Sequence, residues 1–398
     1  MNTFTRSTMA LALLAGFTLA AQAADGPAIS ISGFGTAAMT MSDSDAAEYA
    51  RPNQANGVKK DARPGVDSNF GLQATAKFSE RLSFTGQGLV RKYATDNFGA
   101  ELAWAFVKYK VSDDFSVRAG RIGLPIYMIS DFRNVGYANT MIRPPAEVYR
   151  QVSADSVDGA DVIYQHSFND TTVTAQFAFG NAKSRQPGNA YVEFKPVTAL
   201  HVLLENGPFT FRLGRADADF AVRDNVALNG LVASLRKVGQ GAVADQIKLE
   251  DIKGSFTSVG FGLDYKNFLV QAEYAKRKTE SRAVPDTSSW YTMLGYRYGT
   301  FTPYYYYGDI KQDSLRSFAG LPTSGPLAAL GAGANGVVKA ALQSTNAVGL
   351  RWDFHKSAAL KVQIDRIKPR EGAGAFINSA PGFTGPVNVY AAGIDFVF

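Results

Sequence analysis

The chain ends in the stretch Asn388-Val-Tyr-Ala-Ala-Gly-Ile-Asp-Phe-Val-Phe398. Side chains of a β-strand point alternately to two faces, so every second residue belongs to the same face. One face of this stretch is continuously apolar, and its members are Tyr390, Ala392, Ile394, Phe396 and Phe398. The other face carries a charge at Asp395. An apolar outer face, a mixed inner face and a terminal aromatic residue are typical of a strand that lies between lipid and a water-filled lumen.

The first residues contain the three parts of a secretory signal peptide in the usual order. Arg6 lies in a short basic start, an apolar run extends from Met9 to Ala20, and Ala21-Gln-Ala23 is a small-residue cleavage site. The apolar run is too short to span a bilayer as a helix. We therefore expect residues 1–23 to be a cleaved signal peptide and residues 24–398 to form a single β-barrel domain.

The composition excludes several classes of protein. The 398 residues include no cysteine, so an exported form would contain no disulfide bond. After the signal peptide, no apolar run is long enough for a transmembrane helix. The net charge of +6 is mild and indicates a lumen that attracts anions rather than a surface that binds nucleic acid. No set of histidines and cysteines has metal-ligand spacing, so we expect neither a metal site nor a cofactor.

In sixteen segments apolar and polar residues alternate as in β-strands. The connections between these segments are alternately long loops and tight turns. The predicted strands are 29–37, 69–78, 82–92, 101–110, 115–122, 158–168, 171–179, 190–204, 209–217, 255–265, 268–278, 290–298, 301–309, 346–354, 360–367 and 388–398. In 101–110 both parities carry apolar residues, so its two faces stay unassigned. Helical spacing predicts a short helix within 218–253 and a frayed one near 337–342.

This alternation of connections is what short periplasmic turns and long extracellular loops require, whereas a β-sandwich has no reason for it. An open sheet edge in lipid would leave backbone groups without hydrogen bonds, so the first strand must pair with the last. We predict an all-β fold, a 16-stranded antiparallel transmembrane β-barrel, in which a third loop folds into the pore.

At this point the chain resembles the general diffusion porins of the Gram-negative outer membrane. The local matches are the signal ending Ala21-Gln-Ala23, the Ala119-Gly-Arg121 that closes the fifth strand, a long third loop and the terminal Phe398. The resemblance implies a homotrimer in the outer membrane, surrounded by lipid and lipopolysaccharide. It also implies that the barrel-insertion machinery reads Phe398, and that small hydrophilic solutes and ions pass through the channel.

The third loop, Gly123–Val157, is expected to narrow the pore, because sixteen strands alone enclose a wide channel. In similar porins, loop carboxylates face wall arginines across the constriction. By position, Glu147 best matches the loop carboxylate and Arg121 the wall arginine. The remaining candidates for the constriction are Arg150, Asp155, Arg118, Arg91 and Arg143. The family's arginine at the start of the second strand is replaced here by Asn69, which removes one wall charge.

Among the other charged residues whose strand positions point into the lumen, bases slightly outnumber acids, which predicts a weak anion preference. These bases are Arg212, Arg277, Arg297, Arg351 and Lys361, and the acids are Glu273, Asp353, Asp365 and Asp395. The alternative is a substrate-specific channel for small anions, phosphate or organic acids, which would need a dense ladder of arginines along the lumen.

An enzyme is not expected. Catalysis by a serine or acid with histidine would have to use His166, His201 or His355, and no G-x-S-x-G motif accompanies them. The aromatic clusters Trp290-Tyr291, Tyr296-Arg-Tyr298 and Tyr304-Tyr-Tyr-Tyr307 favour an interfacial girdle over sugar stacking, because consecutive tyrosines alternate between the two faces.

Overall fold

The computed structural model describes residues 26–398, so the predicted signal peptide lies outside the described residues. In this part of the chain, sixteen strands close into one antiparallel barrel in which β1 pairs with β16. The first eight strands are β1 Ala28–Ser42, β2 Asn69–Lys77, β3 Leu82–Lys92, β4 Phe98–Lys110, β5 Phe115–Gly123, β6 Ser156–Phe168, β7 Thr171–Arg185 and β8 Tyr191–Asn206. The second eight are β9 Phe209–Arg223, β10 Ile252–Tyr265, β11 Phe268–Thr279, β12 Thr287–Tyr296, β13 Phe301–Gln312, β14 Gln343–His355, β15 Ala358–Pro369 and β16 Val387–Val397.

The connections confirm the predicted alternation. Seven turns of two to four residues lie at one end of the barrel, here named the turn end. Eight loops of five to 32 residues, L1 to L8, lie at the other, the loop end. Several strands run further toward the loop end than predicted: β7 reaches Arg185 instead of residue 179, and β9 reaches Arg223 instead of residue 217. There the outer parity is polar, as at Lys183 and Asp219, so the apolar alternation that marks a strand is lost.

Four short α-helices lie in the loops: α1 Ala146–Tyr149, α2 Val226–Lys237, α3 Gly241–Ile247 and α4 Ala328–Val337. The helix predicted within 218–253 is present as α2, which is followed by α3. The prediction of a helix near 337–342 was wrong, because α4 ends where that segment begins. Helices α2, α3 and α4 share an apolar cluster that includes Leu235, Ile247 and Ala334 at the loop end.

A β-bulge explains why the faces of β4 could not be assigned from the sequence. Gln87 of β3 pairs with Trp104, but the next residue, Gly88, pairs with Leu102. Ala103 is therefore left without a partner, and the parity of β4 reverses at this point. Glu101 points inward above the bulge and Phe106 points inward below it, so apolar residues appear on both parities of the sequence.

The outer wall carries an apolar belt around the barrel. Its large members are more than a third exposed, and they include Leu72, Phe84, Val107, Val162, Phe177, Leu213, Val259, Leu294, Val348, Ile364 and Ile394. A belt of this size has no stable place in water, whereas it matches a hydrocarbon environment. Within residues 26–398, every helix is too short or too polar to cross a bilayer.

The wall is incomplete where β5 ends. β4 pairs with β5 only over Ala105–Lys110, because the chain leaves the sheet after Gly123 and turns into the barrel. Arg121 lies beside this opening. Its guanidinium donates to both carboxylate oxygens of Asp158 at 2.7 Å and to the free-edge carbonyl of Leu102 at 3.2 Å. Arg121 thus joins β4 to β6 across the gap.

Candidate functional site

L3, residues 124–155, lies inside the barrel and is fixed first to β10 and β11. The Ser258 hydroxyl donates to the Ile126 carbonyl at 2.6 Å, and the Met128 N–H donates to Glu273 at 3.0 Å. The second carboxylate oxygen of Glu273 accepts from the Tyr149 hydroxyl at 2.7 Å. Because Glu273 is only 2% exposed, these bonds hold both limbs of L3 against the wall away from water.

The far part of L3 is fixed to β14, β15 and β16 through buried charges. Glu147, which is fully buried, accepts hydrogen bonds from Gln343 at 2.7 Å and from Thr345 at 2.6 Å. Lys361 donates to the Gly136 carbonyl at 2.8 Å and pairs with Asp395 at 2.7 Å. These contacts place L3 across the half of the lumen bounded by β10 to β16.

Arg143 connects L3 with L1 and the wall. Its guanidinium lies 3.1 Å from Asp67 and 3.4 Å from Asp365, and it stacks over the ring of Tyr49. Burial by itself would lower the pKa of Arg143, but the neighbouring charges of Asp67, Tyr49 and Asp365 raise it well above its usual value. Arg143 therefore stays charged and links L3 to L1 and to the barrel wall.

The aromatic residues that point inward pack inside the barrel, mostly against L3. Only the outward-pointing ones can belong to the predicted girdle. Tyr127 stacks on Tyr149 with ring centroids 4.7 Å apart, and Tyr149 contacts Tyr291 of β12. On β13, Tyr304 and Tyr306 donate to Gln363 and Asp365 inside the barrel, at 2.7 and 2.9 Å. The outward members, Trp290, Tyr305 and Tyr307, remain on the outer wall, as the alternation of faces requires.

The open passage lies on the other side of the lumen, between L3 and the wall from β3 to β8. A cavity of about 700 Å³ occupies it, and its lining includes Gln87, Arg91, Glu101, Trp104, Asp131, Arg133, Asn134 and Asp155. Asp131 is the exposed carboxylate of L3 at this rim. Its charge acts on Arg212, a buried base of the barrel wall.

Four arginines from three elements surround a smaller adjoining cavity of about 70 Å³: Arg51 of L1, Arg91 of β3, and Arg133 and Arg143 of L3. We name this set the arginine cluster. Within it, Asp155 pairs with Arg133 and, at 2.8 Å, with Arg91, which also holds Glu101 at 2.7 Å. Arg51 makes no ion pair with any carboxylate in the described part of the chain.

Of the residues predicted for the constriction, the structure brings Arg91, Arg143 and Asp155 together around this cavity. Arg150 directly follows α1 and lines a different cavity, on the loop-end side of L3. Arg118 faces the lumen nearer the turn end, where it pairs with Asp161.

The two residues favoured from the sequence lie at different depths. Arg121 occupies the parity opposite to that of Arg118 and bridges the wall gap, where it lines the edge of the 700 Å³ cavity. Glu147 is buried behind L3. The exposed loop acid is Asp131, which the sequence does not distinguish from other charges of L3. Which carboxylate of L3 faces water depends on which one is buried. Glu147 is buried by contacts with β14, and these contacts cannot be read from the sequence around Glu147.

A closed barrel with an apolar belt outside, a polar passage inside and a loop that narrows the passage defines a diffusion channel of the outer membrane. The sequence profile of the Gram-negative porins matches residues 8–372, and the chain belongs to this family. The protein is therefore an outer-membrane porin. No protein of curated function shows a significant sequence match to it.

Solved structures show the same fold at low sequence identity. The anion-selective porin from Comamonas acidovorans is 14% identical, with a TM-score of 0.57, and the match covers 93% of this chain and 99% of that one. OmpF of Salmonella typhi, solved in complex with daunomycin, is also 14% identical, with a TM-score of 0.55 and coverage of 95% and 99%. OmpT of Vibrio cholerae is 12% identical, with a TM-score of 0.56 and coverage of 95% and 99%.

Proposed function

We propose that this porin is a general diffusion channel for small hydrophilic solutes with a weak preference for anions, and that its loop end faces the outside of the cell. The observation that carries the preference is an excess of unpaired bases around L3. Arg51, Arg150 and Arg277 lie beside L3 and, among the described residues, have no carboxylate in ion-pair contact. Lys108, nearer the turn end, is a further base without an ion pair, whereas Arg212 is buried and adds little.

The acids around L3 do not offset these bases. Apart from those already in ion pairs, they are Asp131, Glu147 and Glu273. Glu147 and Glu273 are fully or almost fully buried and are hydrogen-bonded to neutral groups, so passing ions do not contact them. Asp131 alone meets the passage, so the field in the passage is positive but partly compensated. The solved Comamonas porin of the same fold is described as anion-selective, which agrees with this preference.

The zero-current potential of the reconstituted protein in a tenfold KCl gradient tests this proposal. We expect the zero-current potential to have the sign of an anion-selective pore. Its magnitude should be well below the ~59 mV of a perfectly selective pore. Asp131→Asn should roughly double the anion-to-cation permeability ratio, and Arg51→Gln should lower it, because each removes a charge beside the passage. Lys110→Gln, an exposed charge on the last residue of β4 at the turn end, is the control and should leave the ratio unchanged. A cation-selective wild type would end the proposal.

The channel is also proposed to assemble as a homotrimer through the outer face of β1 to β4. Ala74, Gly86 and Ala105 are cross-strand neighbours there and form a flat stripe of small side chains. The open edge of β4 above Ala105 adjoins this stripe, so a neighbouring copy would cover it. OmpT of Vibrio cholerae, which has the same fold, is described in a trimer form.

Gly86→Trp should break the trimer, because a large side chain in the middle of the stripe keeps two copies apart. Ala272→Trp, on the outer face of β11 at the other side of the barrel, is the matched control and should leave assembly unchanged. Chemical cross-linking in detergent and the grouping of conductance steps in threes would report the assembly. Trimers of Gly86→Trp as stable as wild type would contradict this interface.

We infer further that the channel has no catalytic role. Among the described residues, the His201 ring has one side-chain hydrogen-bond partner, Gln176 at 3.5 Å, and His166 lies at the exposed turn end beside Asp114. His355 lies 3.0 Å from Ser357, but no carboxylate of the described residues contacts this pair. Each histidine therefore lacks a nucleophile or an orienting acid. Esterase and peptidase assays on the detergent-extracted protein test this statement.

A further inference from the structure

A second cavity lies inside the barrel on the loop-end side of L3. It has a volume of about 420 Å³, within the range of small-molecule binding sites. Its walls come from L3, β8, β9, β10 and β11, and segments of L6 and L7 close it from above. A solute that enters from the loop end would meet this cavity beside the passage to the constriction.

The wall of this cavity is apolar although it faces the lumen. Inward residues of β8 to β10 form it: Phe194, Val197, Ala216, Ala218, Phe220, Val222 and Phe256. The rings of Phe194 and Phe220 lie 5.8 Å apart, and Val152 of L3 completes the surface. A lumen that passes only hydrated ions and polar solutes has no need of such a wall, since it cannot replace their water of hydration.

The charged groups of the cavity all have the same sign. Arg150, Arg277 and Lys339 line it, and none of its lining residues in the described chain is a carboxylate. Two acids outside the lining act on these bases, and both have other partners: Glu147 accepts from Gln343 and Thr345, and Asp286 accepts from the backbone N–H of Thr279 at 2.8 Å. An apolar wall beside three bases is complementary to an anion with an apolar body.

Two of the bases keep hydrogen-bond capacity for a ligand. Arg277 donates to the Gln151 carbonyl at 2.9 Å and to the Pro285 carbonyl at 2.9 Å, so neutral acceptors hold its guanidinium and no carboxylate of the described residues is in ion-pair contact with it. Arg150 makes no side-chain hydrogen bond or ion pair in the described structure, and its charge acts on Arg277. A carboxylate between these two guanidinium groups would accept charge-assisted hydrogen bonds from both.

We propose that this cavity is a binding site for small aromatic carboxylates, which it concentrates at the loop-end entrance of the channel. The carboxylate binds Arg150 and Arg277, and the ring packs against Phe194, Phe220 and Val222. The proposal rests on the proposed function, because the ligand must reach the cavity through an open channel.

Block of the ion current by benzoate tests the site in planar bilayers at constant ionic strength. Benzoate added at the loop end should reduce the current at concentrations about tenfold lower than acetate, because the ring removes its apolar surface from water. Benzyl alcohol, which has the ring but no charge, should not reproduce the block. Equal block by benzoate and acetate, or by benzoate and benzyl alcohol, would overturn the proposal.

Two variants locate the site. Arg150→Gln and Phe194→Ser should each weaken block by benzoate about tenfold, the first through the carboxylate and the second through the ring. Arg51→Gln is the matched control, because it removes a lumen arginine outside this cavity; it should lower anion preference but leave benzoate block unchanged. Anion preference without benzoate block would refute this site alone, whereas a cation-selective wild type would refute the proposed function.

Discussion

Single-channel conductance is expected to rise at least about threefold when the part of L3 that crosses the lumen is removed. Residues 128–150 would be replaced by a short Gly/Ser linker. The two ends already lie close together, because the Val152 N–H donates to the Tyr127 hydroxyl at 3.0 Å. Without this segment, the half of the lumen bounded by β10 to β16 becomes water, and sixteen strands enclose a wide channel.

The matched control is a deletion of α4, residues 328–337, which packs with α2 and α3 at the loop end. It should change conductance much less, because α4 lies outside the narrowest part of the passage. Sieving by neutral polyethylene glycols of graded size would show whether the pore has widened. If the L3 deletion leaves both conductance and size cut-off as in the wild type, the constriction is not formed by L3.

Lys361→Met is expected to lower the free energy of unfolding by about 3–5 kcal/mol, because it removes one partner of a buried ion pair. Lys361 is 1% exposed, and its ammonium group pairs with Asp395 and donates to the carbonyls of Gly136 and Met141. After the substitution, Asp395 would keep only the hydroxyl of Thr36 at 2.5 Å. The tip of L3 would lose its Lys361 contacts with β15, and β16 would lose this side-chain link, although its backbone pairing with β15 remains.

Urea unfolding followed by tryptophan fluorescence would measure the loss, and the heat-dependent shift in gel mobility would check that the barrel still forms. The double variant Lys361→Met with Asp395→Asn should recover at least half of the loss, since no uncompensated charge then remains buried. Lys110→Met breaks the exposed pair with Asp113 and should leave stability nearly unchanged, because solvent screens that pair. Equal effects of Lys361→Met and Lys110→Met would show that the buried pair does not stabilise L3.

Most of the barrel could be predicted from local pattern. The strand count, the closure, the positions of the turns and the inward parity of Arg212, Arg277 and Lys361 follow from the alternation of side chains, because lipid on one side and water on the other enforce it residue by residue. The bulge at Ala103 is the exception. It cancels the alternation in β4, and only the pairing with β3 shows where the parity reverses.

The site was less predictable, because its residues are distant in sequence. The length and charge of L3 indicated a constriction loop, and Arg91, Arg143 and Asp155 were recognised as candidates. Arg121 and Asp131 show the limit of this reasoning. An arginine at the end of a strand and an acid in a loop have the same local signature whether they face the passage, the wall gap or the interior.

The order of apolar and polar residues along the chain was sufficient for a closed sixteen-stranded cylinder with a lipid-facing exterior and a loop long enough to enter it. The packing of L3 against β10 to β16 decided which of its charges are buried and which meet the passage. It also left Arg150 and Arg277 beside an apolar wall. The physical reason is that strand alternation is a response to solvent at each residue, whereas burial of a loop charge depends on partners, such as Gln343 and Lys361, that lie some 200 residues away.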